Sequence, residues 1–263
     1  MKSLKAILFG IVFFIGLGAV FSQDINEFSK EIYVVGNDTL NYRLLMPSNF
    51  NKTKNYPVVL FLHGAGERGN DNQTQLTHGA KLFIKYRDSF PAIVIFPQCP
   101  KEDYWANVMI DRSKSPLDIT FSKDSPPTKA LTLVMELMDD MSQKKYVNIK
   151  QIYVGGLSMG GMGTFEILYR RPTMFTAAFA ICGAGNPETT KAYAKYTPMW
   201  IFHGANDDLV NPQYSVDMVS GILKYGGKPN FTLYSKDNHN SWDSAFAEPQ
   251  LLPWLFSNTK TKQ

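Results

Sequence analysis

Histidine and cysteine are scarce in this chain of 263 residues, which contains four histidines and two cysteines. No Cys/His cluster has the spacing of metal ligands, no Gly-x-x-x-x-Gly-Lys loop is present to cradle phosphate, and the sequence has no internal repeat. We therefore expect no metal, no cofactor and no repeat architecture. Cys99 and Cys182 follow different predicted strands, so two buried free thiols are expected, with a disulfide as the alternative if the protein is exported.

The chain also lacks a strong excess of one charge. It has 27 Lys and Arg against 23 Asp and Glu, a formal net charge of +4 at pH 7. The charges form no pattern that would indicate binding to nucleic acid or to an anionic membrane surface.

A long, purely apolar run occurs at residues 6–21, after Lys2 and Lys5 and before the polar residues 22–24. This order is typical of a secretory signal peptide. We predict a signal peptide at 1–22, a single domain at 23–263, export to the periplasm or medium, and no stable membrane association after cleavage. A retained membrane anchor is the alternative, because the run is at the short end for a span. No cysteine near the junction supports a lipoprotein anchor.

The most informative motif is Gly156-Leu-Ser158-Met-Gly160, which lies between an apolar run at 151–155 and a helical pattern. Strand, Gly-x-Ser-x-Gly and helix together are the context of a nucleophile elbow, in which the serine hydroxyl stands clear of a sharp turn. The helix N-terminus favours negative charge developing beside it. Ser158 is therefore the predicted nucleophile.

The order of apolar runs predicts the fold. Runs at 58–62, 93–96, 151–155, 176–181, 199–202 and 230–234 alternate with helical patterns. Such alternation indicates an α/β protein with a mostly parallel central sheet and helices on both faces. Residues 31–35 and 40–45 predict an antiparallel N-terminal hairpin at the sheet edge. The helix before the elbow is expected to start at Ser125-Pro126 and to bury Met135, Met138 and Met141.

A serine nucleophile in this architecture requires an acid and then a histidine further along the chain. Asp207 follows the run at 199–202 and is the predicted acid, with its neighbour Asp208 as the alternative. His239 follows the run at 230–234 and is the predicted base, because it alone among the four histidines comes after both serine and acid.

The other three histidines have structural interpretations. His63 and His203 each precede a glycine at a predicted strand end, where an imidazole usually braces the adjacent loop. His78 lies in a polar loop with no strand leading into it.

Acyl transfer also requires N–H donors for the oxyanion of the tetrahedral intermediate. In hydrolases of this type one donor follows the nucleophile, which here is Met159, and the second comes from the loop after an earlier strand. The run at 57–62 leads into a glycine-rich loop, where Ala65 is the predicted second donor and Gly66 the alternative.

Substrate recognition is predicted from the segments around these residues. Residues 101–125 are long, polar and poor in aliphatic side chains, which favours a polar or carbohydrate-borne ester over a lipid. Trp105 and Trp242, together with Tyr104, are candidates to stack on a sugar or cinnamoyl ring, with packing as the alternative. Arg68 is a candidate to bind an anionic group, with a structural salt link as the alternative.

Several motifs occur in the order found in one known superfamily. They are Leu62-His-Gly-Ala-Gly-Glu-Arg-Gly69, Phe96-Pro-Gln-Cys-Pro100, the elbow at 156–161, Ile181-Cys-Gly183, His203-Gly204 with Asp207, and His239-Asn-Ser-Trp-Asp243. Over residues 31–257 the chain resembles the α/β-hydrolase superfamily, and more narrowly the secreted bacterial esterases related to esterase D, feruloyl and acetylxylan esterases and polyhydroxybutyrate depolymerases. The resemblance implies a Ser158-His239-Asp207 triad, in agreement with the assignment from chain order.

Members of this group are often labelled dienelactone hydrolases or prolyl-oligopeptidase-like peptidases. A serine where dienelactone hydrolases carry cysteine argues against the first label. We therefore expect an exported serine carboxylesterase that acts on acyl or feruloyl groups of carbohydrates or other small polar esters. A peptidase with the same triad and a catalytically silent binding protein on a hydrolase scaffold are the alternatives.

Overall fold

The computed structural model describes residues 25–260, so the signal peptide predicted at 1–22 lies outside the described residues. The strands are β1 Ser29–Val35, β2 Asp38–Leu45, β3 Tyr56–Leu62, β4 Ile93–Pro97, β5 Val108–Asp111, β6 Asp118–Phe121, β7 Val147–Leu157, β8 Ala177–Ile181, β9 Met199–Gly204 and β10 Asn230–Tyr234. The helices are α1 Ala80–Lys85, α2 Lys129–Ser142, α3 Met159–Arg170, α4 Gln213–Lys224, α5 Trp242–Ala247 and α6 Leu251–Ser257.

Eight of the strands form one sheet in the order β1-β2-β4-β3-β7-β8-β9-β10. The pairs from β4 through β10 are parallel, whereas β1 and β2 form an antiparallel hairpin that joins β4 at one edge. All six predicted core runs are strands of this sheet. The predicted α/β-hydrolase fold, including its N-terminal hairpin, is confirmed.

Both faces of the sheet are covered by helices. Along β3, Val58, Leu60 and Leu62 pack with α2, α3 and α4, whereas Val59 and Phe61 pack with α1, α5 and α6. Because successive strand side chains point to opposite faces, a strand that is apolar at every position must be buried on both. No helix among residues 25–260 is long and apolar enough to cross a membrane.

The helix before the elbow begins later than predicted. Its N-cap is Thr128, whose hydroxyl accepts a hydrogen bond from the Leu131 N–H at 3.2 Å. The predicted start at Ser125-Pro126 was wrong because Pro127 follows, and a proline pushes the preceding residue out of the helical region. The methionines predicted to face the core, 135, 138 and 141, are buried as expected.

The polar segment at 101–125 contains a second, two-stranded sheet made of β5 and β6. It packs over a small apolar cluster that includes Ile119, Met162 of the elbow helix and Val210 of the acid loop. The alternation of Ile119 and Phe121 with Asp118 and Thr120 was the available sequence signal for this hairpin.

Candidate active site

Ser158 lies at the sharp turn between β7 and α3. Its backbone is at φ 52° and ψ −117°, a conformation that residues other than glycine rarely adopt. The backbone N–H of Ser158 donates to the Ile181 carbonyl at 2.8 Å, which ties the turn to the neighbouring strand β8. The side chain is half-buried, so the hydroxyl stays reachable. The chain thus holds a strained serine at a helix N-terminus, as expected of a nucleophile elbow.

The turn requires glycine on each side of Ser158 for steric reasons. A Cβ at Gly160 would lie 1.8 Å from the Leu62 carbonyl oxygen, and a Cβ at Gly156 would lie 2.3 Å from the Gly160 oxygen. The elbow therefore packs backbone to backbone against the end of β3, which brings the glycine-rich loop after β3 beside the serine.

Ser158, His239 and Asp207 form a continuous hydrogen-bonded line. Nε2 of His239 is 2.9 Å from Oγ of Ser158, and Nδ1 of His239 is 2.8 Å from Oδ2 of Asp207. The side chain of His239 is 17 % exposed and that of Asp207 is 0 % exposed. The structure thus brings together the three residues that the sequence selected for the triad.

Asp207 accepts hydrogen bonds on both carboxylate oxygens. Oδ1 accepts from the backbone N–H groups of Leu209 at 3.0 Å and Val210 at 2.9 Å. Burial acts to raise the pKa of Asp207, but the hydrogen bonds from His203 and His239 outweigh it and hold this pKa well below its usual range. Asp207 is therefore an ionised partner for an imidazole. The side chain of the alternative acid, Asp208, is exposed and makes no hydrogen bond to His239.

His203 is fully buried behind Asp207. Its Nε2 lies 3.1 Å from Oδ2 of Asp207 and 3.0 Å from the Val210 carbonyl oxygen, and its Nδ1 lies 2.7 Å from Oγ of Ser215. The sequence predicted a buried brace here but missed that His203 shares the carboxylate oxygen that orients His239. The spacing of four residues between His203 and Asp207 was the only sequence signal.

His63 holds the loop after β3. Its Nε2 accepts from the Cys99 N–H at 3.0 Å, so Nδ1 carries the hydrogen and donates to the Gly64 carbonyl at 2.6 Å. Burial lowers the pKa of His63 to about 4, so the ring is neutral at physiological pH. The predicted brace is confirmed, and its target is the loop that holds Ala65.

Two backbone N–H groups are available beside Ser158. Met159 is the first residue of α3 and Ala65 the first of a short 3₁₀ turn, Ala65–Glu67, so neither N–H has an acceptor within its own helix. A Cβ at Gly64 would lie 3.7 Å from Cβ of Ser158, which places this loop against the serine. Ala65 is half-buried, whereas the alternative Gly66 is exposed.

Trp242 lies at the rim of the site. Its ring is half-buried, with its centroid 5.5 Å from that of His239 and 5.0 Å from that of His78. His78 in turn lies 3.7 Å from the Glu67 carboxylate. The indole therefore packs beside the imidazole of His239 in the candidate site.

The predicted substrate contact of Trp105 was wrong. Its side chain is 0 % exposed, and its indole N–H donates to the His63 carbonyl at 3.1 Å. A ring without accessible surface cannot stack on a ligand, so the packing alternative holds.

Arg68 makes structural hydrogen bonds. Its guanidinium donates to the carbonyls of Ala65 at 3.1 Å, Lys101 at 2.9 Å and Asp103 at 3.2 Å. These bonds join the loop after β3 to the segment after β4. The salt link given as the alternative role of Arg68 does not form, and the carboxylate of the adjacent Glu67 lies 3.7 Å from His78.

The hairpin of β5 and β6 is attached to the acid loop. The Leu117 N–H donates to the Leu209 carbonyl at 2.9 Å, and the Ser115 hydroxyl donates to the Asp208 carbonyl at 3.1 Å. Residues 101–125, the segment linked above to substrate recognition, therefore form a wall next to Asp207.

The described residues 25–260 contain neither a cluster of metal-ligating side chains nor a disulfide. No group of three or more His, Cys, Asp or Glu side chains in this range could hold a metal ion. Cys99 and Cys182 are buried free thiols.

Comparison with known proteins identifies the family of this chain. The model of the family described as phospholipase/carboxylesterase matches residues 49–250. A bifunctional acetylxylan esterase/xylanase of Neocallimastix patriciarum is 29 % identical over 202 residues, which is 77 % of this chain and 25 % of the relative. This chain therefore spans only about a quarter of that relative.

Solved structures agree on the fold. The crystal structure of a thermostable esterase superposes with a TM-score of 0.79 at 30 % identity, covering 90 % of this chain and 64 % of the other. A ferulic acid esterase superposes with a TM-score of 0.66 at 19 % identity, covering 88 % and 98 % of the two chains, which shows the shared fold alone. With the family match over most of its length, this chain belongs to the phospholipase/carboxylesterase family of serine hydrolases.

Proposed function

We propose that this protein is a serine esterase in which Ser158 is the nucleophile, His239 the base and Asp207 the acid. The observation that carries the proposal is the line of hydrogen bonds from Oγ of Ser158 through His239 to Oδ2 of Asp207, at 2.9 and 2.8 Å. A hydroxyl within hydrogen-bond reach of a base that is itself oriented by a carboxylate is the arrangement that activates serine.

In the acylation step Oγ of Ser158 attacks the ester carbonyl carbon while its proton passes to Nε2 of His239. The resulting imidazolium is stabilised by Asp207, and the oxyanion accepts hydrogen bonds from the N–H groups of Ala65 and Met159. His239 then protonates the departing alcohol, which leaves an acyl-serine. Water attacks this ester, again with His239 as base, and the acid and free serine are released.

The substrate class we propose is an acyl or feruloyl ester of a carbohydrate or another small polar alcohol. The half-buried indole of Trp242 next to His239 can stack on a ring, and the Glu67 carboxylate nearby can accept hydrogen bonds from hydroxyl groups. A relative named acetylxylan esterase/xylanase supports this class. Export, proposed from residues 1–22, places the enzyme where such polymers occur.

The test is a substrate panel with one preparation of the mature chain. Short p-nitrophenyl esters, methyl ferulate and acetylated xylan should be hydrolysed, and peptide amides should not. Hydrolysis of amides at comparable rates would favour the peptidase alternative, and no hydrolysis at all would favour a binding protein.

Ser158→Ala is the matched control because it removes one oxygen from the site. Ester hydrolysis should disappear while the circular dichroism spectrum and Tm stay close to wild type. Turnover near the wild-type rate in a folded Ser158→Ala protein would overturn the mechanism.

A further inference from the structure

We infer that His203 is a fourth, positioning member of the catalytic hydrogen-bonded line, acting on His239 by sharing Oδ2 of Asp207. This inference rests on the proposed function. It concerns a residue that does not touch the substrate and that the triad does not include.

The partners of His203 determine which nitrogen carries the hydrogen. Nε2 lies 3.1 Å from Oδ2 of Asp207 and 3.0 Å from the Val210 carbonyl oxygen. The carbonyl oxygen can only accept a hydrogen bond, and the same holds for the carboxylate oxygen of ionised Asp207. Nε2 is therefore the protonated nitrogen. The single hydrogen of the Ser215 hydroxyl lies within reach of two acceptors, Nδ1 at 2.7 Å and the Gly183 carbonyl oxygen at 3.2 Å.

The carboxylate of Asp207 becomes fully satisfied by this arrangement. Two backbone N–H groups occupy Oδ1 and two imidazole N–H groups occupy Oδ2. An ionised carboxylate offers about four acceptor positions, so none is left for water or for rotation of the group. His203 thus fixes the plane in which Asp207 meets Nδ1 of His239.

Sharing Oδ2 has an electrostatic consequence for the base. A carboxylate oxygen that already accepts one N–H stabilises a protonated His239 less than an unshared oxygen would. Loss of the donor should shift the acid limb of the pH profile upward.

Few other titratable groups face this carboxylate. Besides the two histidines, the thiol of Cys182 is buried nearby, and burial together with the charge of Asp207 raises its pKa, so it stays protonated in the assay range. Asp208 in the acid loop and Asp243 in α5 have exposed side chains, so solvent screens their charges.

The experiment compares His203→Leu, which removes the donor, with His203→Gln, which can place an amide N–H near the position of Nε2. In His203→Leu we expect kcat/KM on p-nitrophenyl acetate to fall about 10- to 100-fold, the loss typical when a residue that orients a metal ligand is removed. We also expect the midpoint of the pH profile of kcat/KM to rise. His203→Gln should recover most of both effects. Ser215→Ala keeps the donor to Asp207 and should leave the midpoint in place.

A bracing role alone predicts a different result. If His203 only held the acid loop, both variants would lose kcat with an unchanged midpoint, and this outcome would overturn the inference. In the Asp207→Asn background, His203→Leu should cost little more, because the two residues act as a unit. If His203→Leu lowered kcat/KM as much in the Asp207→Asn background as in wild type, this result would also contradict the inference.

Wild-type protein provides a check that does not depend on folding of a variant. ¹⁵N NMR of the imidazole nitrogens should show Nε2 of His203 protonated, and an unprotonated Nε2 would refute the inference. Ser158→Ala in the same ester assay separates the two claims. Activity that survives this change rejects the proposed function, whereas lost activity with no shift in the His203 variants rejects only the role of His203.

Discussion

Nε2 of His239 lies 2.9 Å from Oγ of Ser158 although the two residues are 81 positions apart in sequence. Ser158 follows β7 and His239 follows β10, and both strands end at the same edge of the sheet because they run parallel. The carboxyl edge of a parallel sheet collects loops from distant parts of the chain, and binding sites of α/β proteins form there.

The acid can be identified by a matched pair of neighbouring carboxylates. Asp207→Asn should lower kcat by orders of magnitude, roughly 10⁴-fold for such a change in a triad. Asp208→Asn should be mild because its side chain is exposed and outside the line of hydrogen bonds. Steady-state kinetics on one ester decides, and the reverse ranking would move the acid to Asp208.

The pH dependence of kcat/KM should follow the deprotonation of His239. Only a neutral imidazole accepts the serine proton, so activity should rise with pH through a single ionisation. Asp207 should not contribute to this limb, because hydrogen bonds from His203 and His239 outweigh burial and hold its pKa below the usual range.

Replacement of the carboxylate supplies the control for this profile. In Asp207→Asn the imidazolium loses its anionic partner, so the midpoint should move to lower pH. A flat wild-type profile, or a midpoint that Asp207→Asn leaves unchanged, would show that another pair sets the base.

Steric requirements of the elbow can be tested with two glycines. Gly160→Ala would place a Cβ 1.8 Å from the Leu62 carbonyl oxygen, so backbone must shift and the free energy of unfolding should fall by about 1–3 kcal/mol or more. Gly66→Ala meets no atom within 4 Å and should be close to neutral. Urea unfolding of both variants measures the difference. Equal stabilities would mean that the elbow does not pack on β3 as described.

The two tryptophans should respond in opposite ways. Trp105→Ala empties a fully buried site and should cost about 3–5 kcal/mol of unfolding free energy. Trp242→Ala should raise KM for feruloyl or carbohydrate esters with a much smaller change in Tm, because its ring is half-exposed beside His239. An unchanged KM in Trp242→Ala would remove this residue from the substrate site.

Local sequence patterns were enough to predict the fold and to select the residues of the candidate triad. Runs that are apolar at every position indicate strands buried on both faces, and β3 is such a strand, with Val58 and Val59 on opposite sides. Gly156 and Gly160 around Ser158 meet a steric requirement within a few residues of chain. The order of serine, acid and histidine then selected His239 from four candidates.

Side-chain direction in loops was not encoded in the same way. Tryptophan is a residue type that often contacts substrates, yet Trp105 lies in the core. The guanidinium of Arg68 donates hydrogen bonds to three backbone carbonyls. A side chain in an irregular segment follows the elements packed against it, and no periodicity in the sequence reports these contacts.

The sequence by itself determined the order of the main strands and helices, the elbow and the serine that we propose as the nucleophile, because periodicity and steric demand act over a few residues. Only the tertiary structure decided that Asp207 rather than Asp208 meets His239, and that His203 shares its oxygen. These relationships depend on the register of β9 beside β10 and on the path of the loops beyond them. A hydrogen bond is lost when its donor and acceptor move apart by less than about an ångström. Donor–acceptor distances between loops are fixed by long-range packing rather than by neighbouring residues.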